Sequence, residues 1–203
     1  MLKILGLGPG HKDYIVPKVI KILEESEIII GFERALESLK ILDNIDFSKF
    51  KKVVSLKEIL NIISENKEKS ISVIASGDPT FYGITNYIKK NYNESFEIIP
   101  GISSFQYLTC KLNKPWGNAF VGSMHGREEN FEKIVKENSL SIWLTDKKNT
   151  PNTLSKKLLD ANINCTVYVG ENLSYEDEKI TKGSPLEILE KDYENLVVMI
   201  VER

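Results

Sequence analysis

Leu2-Lys3-Ile4-Leu5 running into Gly6-Leu7-Gly8-Pro9-Gly10 is the stretch on which the fold turns. A short apolar run closes on a glycine-bearing corner, and a helical pattern follows. The same arrangement occurs at two more places. Residues 71–75 lead into Ser76-Gly77-Asp78-Pro79, and residues 96–99 lead into Pro100-Gly101-Ile102-Ser103-Ser104. Strand, loop and helix in this order predict an α/β class with a largely parallel sheet. In an open α/β sheet the carboxyl ends of neighbouring strands share one crevice, so three such loops are expected to converge on one ligand. Glycine at these corners lets the backbone come close to that ligand.

Working outward, Val16, Val19, Ile20 and Leu23 fall on one helical face, and Pro17 suits the first turn because its missing N–H costs nothing there. Residues 27–31 read as a second strand. Ile59, Leu60 and Ile63 mark a further helix ahead of the strand at Ile71. Ser103 with Gln106 forms a capping-box pattern, so the third loop is expected to run straight into a helix. Around 113–118 the chain changes to Asn-Lys-Pro-Trp-Gly-Asn, which is turn chemistry, and a boundary is placed there. Two domains follow, 1–112 and 113–203. The second reads as strands at 119–122, 140–145, 166–170 and 196–201, with helices near 128–137 and 151–161. Thr150-Pro151 and Ser184-Pro185 are cap-then-proline helix starts, the latter with Glu187 three residues on.

Composition narrows the classes. The chain has 203 residues, is 41% hydrophobic and 28% charged, and carries a net charge of −2, which gives no sign of nucleic-acid binding. No apolar run approaches the ~20 residues of a membrane span. Met1 leads directly into a strand, without a signal-peptide pattern. Cys110 and Cys165 stand apart and make neither a zinc site nor a disulfide framework. A cytoplasmic protein is expected, with no metal site of its own.

The first corner has the outline of a dinucleotide site, with an acid, Glu33, after the second strand. Its spacing is G-x-G-x-G rather than G-x-G-x-x-G, and Pro9 removes a backbone N–H where a pyrophosphate needs a donor. At the second corner, Asp78 can turn its carboxylate to the crevice, or it can serve as an ordinary turn aspartate. A carboxylate and backbone carbonyls with few cations suit a positively charged ligand bearing ribose hydroxyls, not one dominated by phosphate.

In their order and spacing the three corners resemble the tetrapyrrole methylases, and the resemblance runs nearly end to end, including residues 13–34. It implies a two-domain α/β fold with the active site in the interdomain cleft, and S-adenosylmethionine as cofactor. Ser123-Met124-His125-Gly126-Arg127, Thr145-Asp146 with Thr150-Pro151, and Gly170-Glu171-Asn172-Leu173 look most like the members that methylate C5 of cobalt-precorrin-7 or a precorrin in cobalamin biosynthesis. Other ring positions, or the diphthine synthases that modify a protein side chain, are the alternatives. Some members of this type carry a fused domain for C15 decarboxylation and methylation. The chain ends at Arg203, so a separate partner protein for that step is expected, and a homodimer is implied as well. Any cobalt would arrive inside the corrinoid substrate.

Carried over onto this sequence, the resemblance implies that Pro9 lines the methionine end of the cofactor pocket. It gives Gly77, Asp78, Thr80 and Phe81 the ribose and methionyl parts, Ser103 and Ser104 hydrogen bonds, and Leu144 and Thr145 the adenosine. Many relatives place a small or aliphatic residue where Phe81 or Tyr82 stands. Transfer of a methyl group from a sulfonium to a ring carbon asks mainly for positioning in a dry cleft. His125 is the candidate for acid–base assistance, with a polar turn residue as its other reading. Arg127 is the candidate for gripping substrate carboxylates, which a guanidinium does bidentately. His11 reads as a loop residue, Lys114, Lys147 and Lys148 as loop lysines that either face the same cleft or are solvated surface, Trp143 as core, and residues 175–179 as a solvated turn. Trp116 reads either way, as a stacking face or as loop.

Overall fold

The computed structural model describes residues 1–124, 129–194 and 197–203. These form two compact units, Met1–Ser103 and Ser104–Arg203. In the first, strands β1 (Leu2–Gly6), β2 (Ile28–Phe32), β3 (Phe50–Val53), β4 (Ile71–Ala75) and β5 (Phe96–Ile99) alternate with helices α1 (Pro17–Glu25), α2 (Glu33–Ser38), α3 (Leu56–Glu65) and α4 (Thr85–Asn91). The strand order is β3-β2-β4-β1-β5, and every pairing is parallel.

The strands read as continuous apolar runs because both faces of the sheet are covered. Leu5, Ile29, Ile74 and Ile99 point to one face, where they pack with Val19, Ile22 and Leu23 of α1 and with Leu36 of α2. Ile4, Ile30 and Val73 point to the other, against Ile59 and Ile63 of α3 and Ile88 of α4. Pro17 opens α1 as expected, and Ser55 caps α3 by accepting from the Glu58 N–H.

The second unit opens with α5 (Ser104–Lys111), followed by β6 (Phe120–Ser123), α6 (Phe131–Glu137), β7 (Leu140–Leu144), α7 (Pro151–Asp160), β8 (Thr166–Glu171), β9 (Lys179–Gly183), α8 (Pro185–Leu189) and β10 (Val197–Glu202). The sheet order is β6-β7-β10-β8-β9. β6 and β7 are parallel, while β10 is antiparallel to both β7 and β8, and β8 to β9. Trp143 is fully buried at the centre of this core, with the rings of Phe120 and Phe131 at 5.1 and 4.9 Å. Thr150 caps α7 and Ser184 with Glu187 completes a capping box on α8, both at the expected prolines.

Two features differ from the sequence expectation. The division between units falls before α5, not at the turn chemistry of 113–118. Leu108 of α5 is fully buried and lies against Gly170 of β8, which anchors the helix to the second sheet. The edge strands β3 and β9 were not expected. Each carries two lysines and draws its order from backbone pairing on one side only, so its side chains show no apolar run. Lys179, read as part of a solvated turn, begins β9.

Candidate active site

Because β1 lies between β4 and β5, the corners that follow these three strands meet at one sheet edge. The Leu7 N–H donates to the Ala75 carbonyl at 2.9 Å, extending the β1–β4 ladder past the strand ends. Gly8 and Gly77 then exchange backbone hydrogen bonds, Gly77 N–H to Gly8 O at 2.7 Å and Gly8 N–H to Gly77 O at 3.3 Å. The third corner packs against these two with backbone alone. A Cβ on Gly101 would fall on the Gly77 carbonyl oxygen and lie 2.8 Å from the Gly6 carbonyl carbon. Gly101 is thus required by loop-to-loop packing rather than by a ligand. Gly77 differs: its φ of +65° suits glycine, and a Cβ there would meet only the Ser103 Cα, at 3.7 Å. The space over Gly77 is the side from which a ligand can reach the backbone.

Asp78 joins two of the corners. Its Oδ1 accepts from the Thr80 N–H at 2.7 Å and from the Thr80 hydroxyl. Its Oδ2 accepts from the Gly101 N–H at 3.2 Å. Pro79 is buried, and its carbonyl accepts from the Thr85 N–H and hydroxyl, which starts α4. Between these points Tyr82 adopts φ 51°, an unusual conformation for a bulky residue, and its ring meets Phe81 edge-on at 4.8 Å. Pro9, Gly77, Asp78 and Phe81 are half-buried, Thr80 is exposed, and Ser103 is buried. Ser104 follows as the first residue of α5. None of residues 6–10, 76–82 or 100–104 is Lys or Arg. This donor set fits a cofactor with a sulfonium and ribose hydroxyls: acceptors and hydroxyls are present, and these three corners set no Lys or Arg against a positive centre.

In the second unit the carboxyl ends of β6, β7 and β8 also share one edge. Ser123, Leu144, Val198 and Gly170 form a row across the sheet. Leu144 is half-buried and Thr145 buried. The Thr145 hydroxyl donates to the Val197 carbonyl at 2.9 Å, and its N–H to the same oxygen at 3.3 Å. Next to them Asn149, which the sequence reading passed over, is 9% exposed and donates from Nδ2 to the Met124 carbonyl. Asparagine is ordinary turn chemistry in sequence, and only its burial sets it apart. His125 and Arg127 lie outside the described residues.

Glu171, from the quoted Gly170-Glu171-Asn172-Leu173 segment, ends β8 with its side chain buried. Its Oε1 accepts from the Glu194 N–H at 3.0 Å, and the Lys179 ammonium lies 3.7 Å from Oε2. Burial, helped by the Glu171 charge, pushes the Tyr193 hydroxyl up to about 12.

The family model of the tetrapyrrole (corrin/porphyrin) methylases matches residues 1–188. A probable cobalt-precorrin-7 C(5)-methyltransferase of Methanocaldococcus jannaschii is 36% identical over 214 residues, covering 100% of this chain and 98% of the relative. The cobalt-precorrin-7 C(5)-methyltransferase of Salmonella typhimurium is 30% identical over 206 residues, covering 100% of each. Among solved structures, the precorrin-6Y methylase CbiE from Archaeoglobus fulgidus superposes with a TM-score of 0.77 at 26% identity, covering 100% of this chain and 98% of that one.

Proposed function

Since the chain belongs to the tetrapyrrole (corrin/porphyrin) methylases, we propose that it transfers a methyl group from S-adenosylmethionine to C5 of a cobalamin precursor, cobalt-precorrin-7 or the corresponding precorrin. The observation that carries this reading is the meeting of three cation-free corners at the carboxyl edge of β4-β1-β5, in a chain 36% identical to a relative of that name.

The cofactor supplies an electrophilic methyl group on sulfur. The protein's part is to bind, orient and exclude water. The backbone at Gly77 and the ring of Pro9 form the wall, Ser103 and Ser104 offer hydroxyls, and Asp78 with Thr80 holds the second corner in shape. Leu144 contributes an apolar surface. Thr145, whose hydroxyl is already engaged by Val197, contributes its backbone and methyl group to the adenosine. Phe81, half-buried beside Tyr82, adds apolar surface near the methionyl part.

As the new C–C bond forms, the C–S electron pair stays on sulfur, and a proton leaves the ring. His125 is assigned to accept that proton and Arg127 to hold the substrate's carboxylates. Collinear placement of donor and acceptor can lower the barrier by roughly 7–11 kcal/mol at best. The reading extends to a cytoplasmic homodimer, with a separate protein carrying out C15 decarboxylation and methylation.

Incubation with S-adenosylmethionine and a purified cobalt-precorrin or precorrin tests the proposal. A gain of one methyl group, located at C5 by NMR, is expected. Methylation at another ring position would reassign the specificity, and no transfer to any corrinoid would overturn the activity.

A further inference from the structure

Met124 is the last residue described after β6, and it is held on both sides. Its N–H donates to the Leu144 carbonyl at 2.8 Å, carrying the β6–β7 ladder one residue beyond the strand. Its carbonyl accepts from Asn149 Nδ2 at 3.2 Å, a buried contact between residues 25 apart in sequence. Its side chain is 2% exposed, in the core with Trp143 and Leu154.

Asn149 is in turn fixed by Asp146. The Asp146 Oδ1 accepts from the Asn149 N–H at 2.7 Å, from the Lys148 N–H at 2.9 Å and from Asn149 Nδ2 at 3.3 Å. Asp146 thus closes the turn after β7 and aims the Asn149 amide at β6. Thr150, the next residue, caps α7. The segment 144–150 is therefore joined to three elements: to β10 through Thr145 and Val197, to β6 through Asn149 and Met124, and to α7 through Thr150.

We infer that Asn149 is a positioning residue, tying the carboxyl end of β6 to the turn that follows Leu144 and carries Thr145. The inference rests on the proposed function for its kinetic consequence, because the sequence continues from Met124 into His125-Gly126-Arg127, the segment assigned to the substrate. Among the described residues, a short backbone ladder holds the β6 end on one side, through β7, since β6 is an edge strand. The amide bond supplies a second, side-chain restraint at the point where the chain leaves the sheet. Without its donor, a buried carbonyl loses a partner, and the chain can relieve this by moving Met124 toward water.

The test compares the full chain with Asn149→Ala and Asn149→Asp. The second variant nearly keeps the volume but replaces the donor amide with a group that faces Asp146. Hydrogen exchange read by mass spectrometry is expected to quicken at least tenfold in peptides covering residues 119–124, and to match the wild type across 71–99. Unchanged exchange in 119–124 overturns the tie, whatever the substrate is. In kinetics, kcat/KM for the tetrapyrrole is expected to fall at least tenfold in both variants. The affinity for S-adenosylhomocysteine is expected to stay within twofold, because Thr145 keeps its own bonds to Val197. An equal loss of cofactor-product affinity, or kinetics unchanged at equal folded fraction, would overturn the positioning role. A wild-type chain that methylates no tetrapyrrole counts against the proposed function alone, and the exchange measurement still decides the tie.

Discussion

Asp78 shows how one residue can answer to two readings. In sequence, a carboxylate between Gly77 and Pro79 could face a ligand or close a turn. In the structure it closes the turn through Thr80 and reaches across to the Gly101 N–H, so it braces two of the three corners. A carboxylate has about four acceptor positions, which leaves room for a ligand while the brace holds. Asp78→Ala is expected to lower S-adenosylhomocysteine affinity more than tenfold by calorimetry while the circular dichroism spectrum is kept. Unchanged affinity would remove this corner from the site. The two cysteines offer a separate check on burial. Burial pushes the Cys165 thiol up to about 11, opposed only weakly by Arg203, whereas Cys110 is exposed. At pH 8 the Cys165 thiolate fraction is on the order of 10⁻³. Alkylation of the folded protein should therefore label Cys110 first and Cys165 at least tenfold more slowly.

At the scale of elements, the corners are held together by glycines that admit backbone where a side chain would collide. Gly101→Ala places a methyl group on the Gly77 carbonyl and against Gly6, and is expected to cost about 2–3 kcal/mol in urea unfolding. Gly117→Ala meets nothing within 4 Å and should change stability by less than about 0.5 kcal/mol. The end of β10 makes a pH prediction. Glu202 is held below its ordinary 4.5 first by the hydrogen bond from Lys114, with the Tyr168 hydroxyl adding to it against the opposing effect of burial. A depressed carboxylate contributes stability that is present above 4.5 and is lost as pH falls through its folded value. Glu202→Gln should remove that part of the acid sensitivity, a difference below about 1 kcal/mol because Glu202 is 40% exposed. Helix α1 was legible in sequence because burial of one face imposes a period on its apolar residues, α7 because Thr150-Pro151 marks its start, and the central strands because burial on both faces makes continuous apolar runs. The edge strands β3 and β9 were not, because backbone pairing leaves no mark on side-chain order.

For the whole molecule, each unit has its own core, and ligand binding should register as stability of the folded chain. S-adenosylhomocysteine at about 100 times its Kd is expected to add ~2.7 kcal/mol, raising Tm by roughly 5–10 °C for a chain of this size. NAD is expected to leave Tm unchanged, and a shift with NAD instead would restore the dinucleotide reading. Apart from β3 and β9, the succession of strands, the three corners and the absence of Lys and Arg from them could be read in one dimension. Local backbone preference and residue chemistry are written position by position, so no folding is needed to see them. The order of the strands within each sheet needed the third dimension, since pairing depends on which apolar faces meet. So did the attachment of α5 to the second unit, the partners of Asp78 and the burial of Asn149. The contacts Asp78–Gly101, Met124–Asn149 and Leu108–Gly170 join residues 23 to 62 positions apart, and their energies come from packing and desolvation that no local stretch of sequence contains.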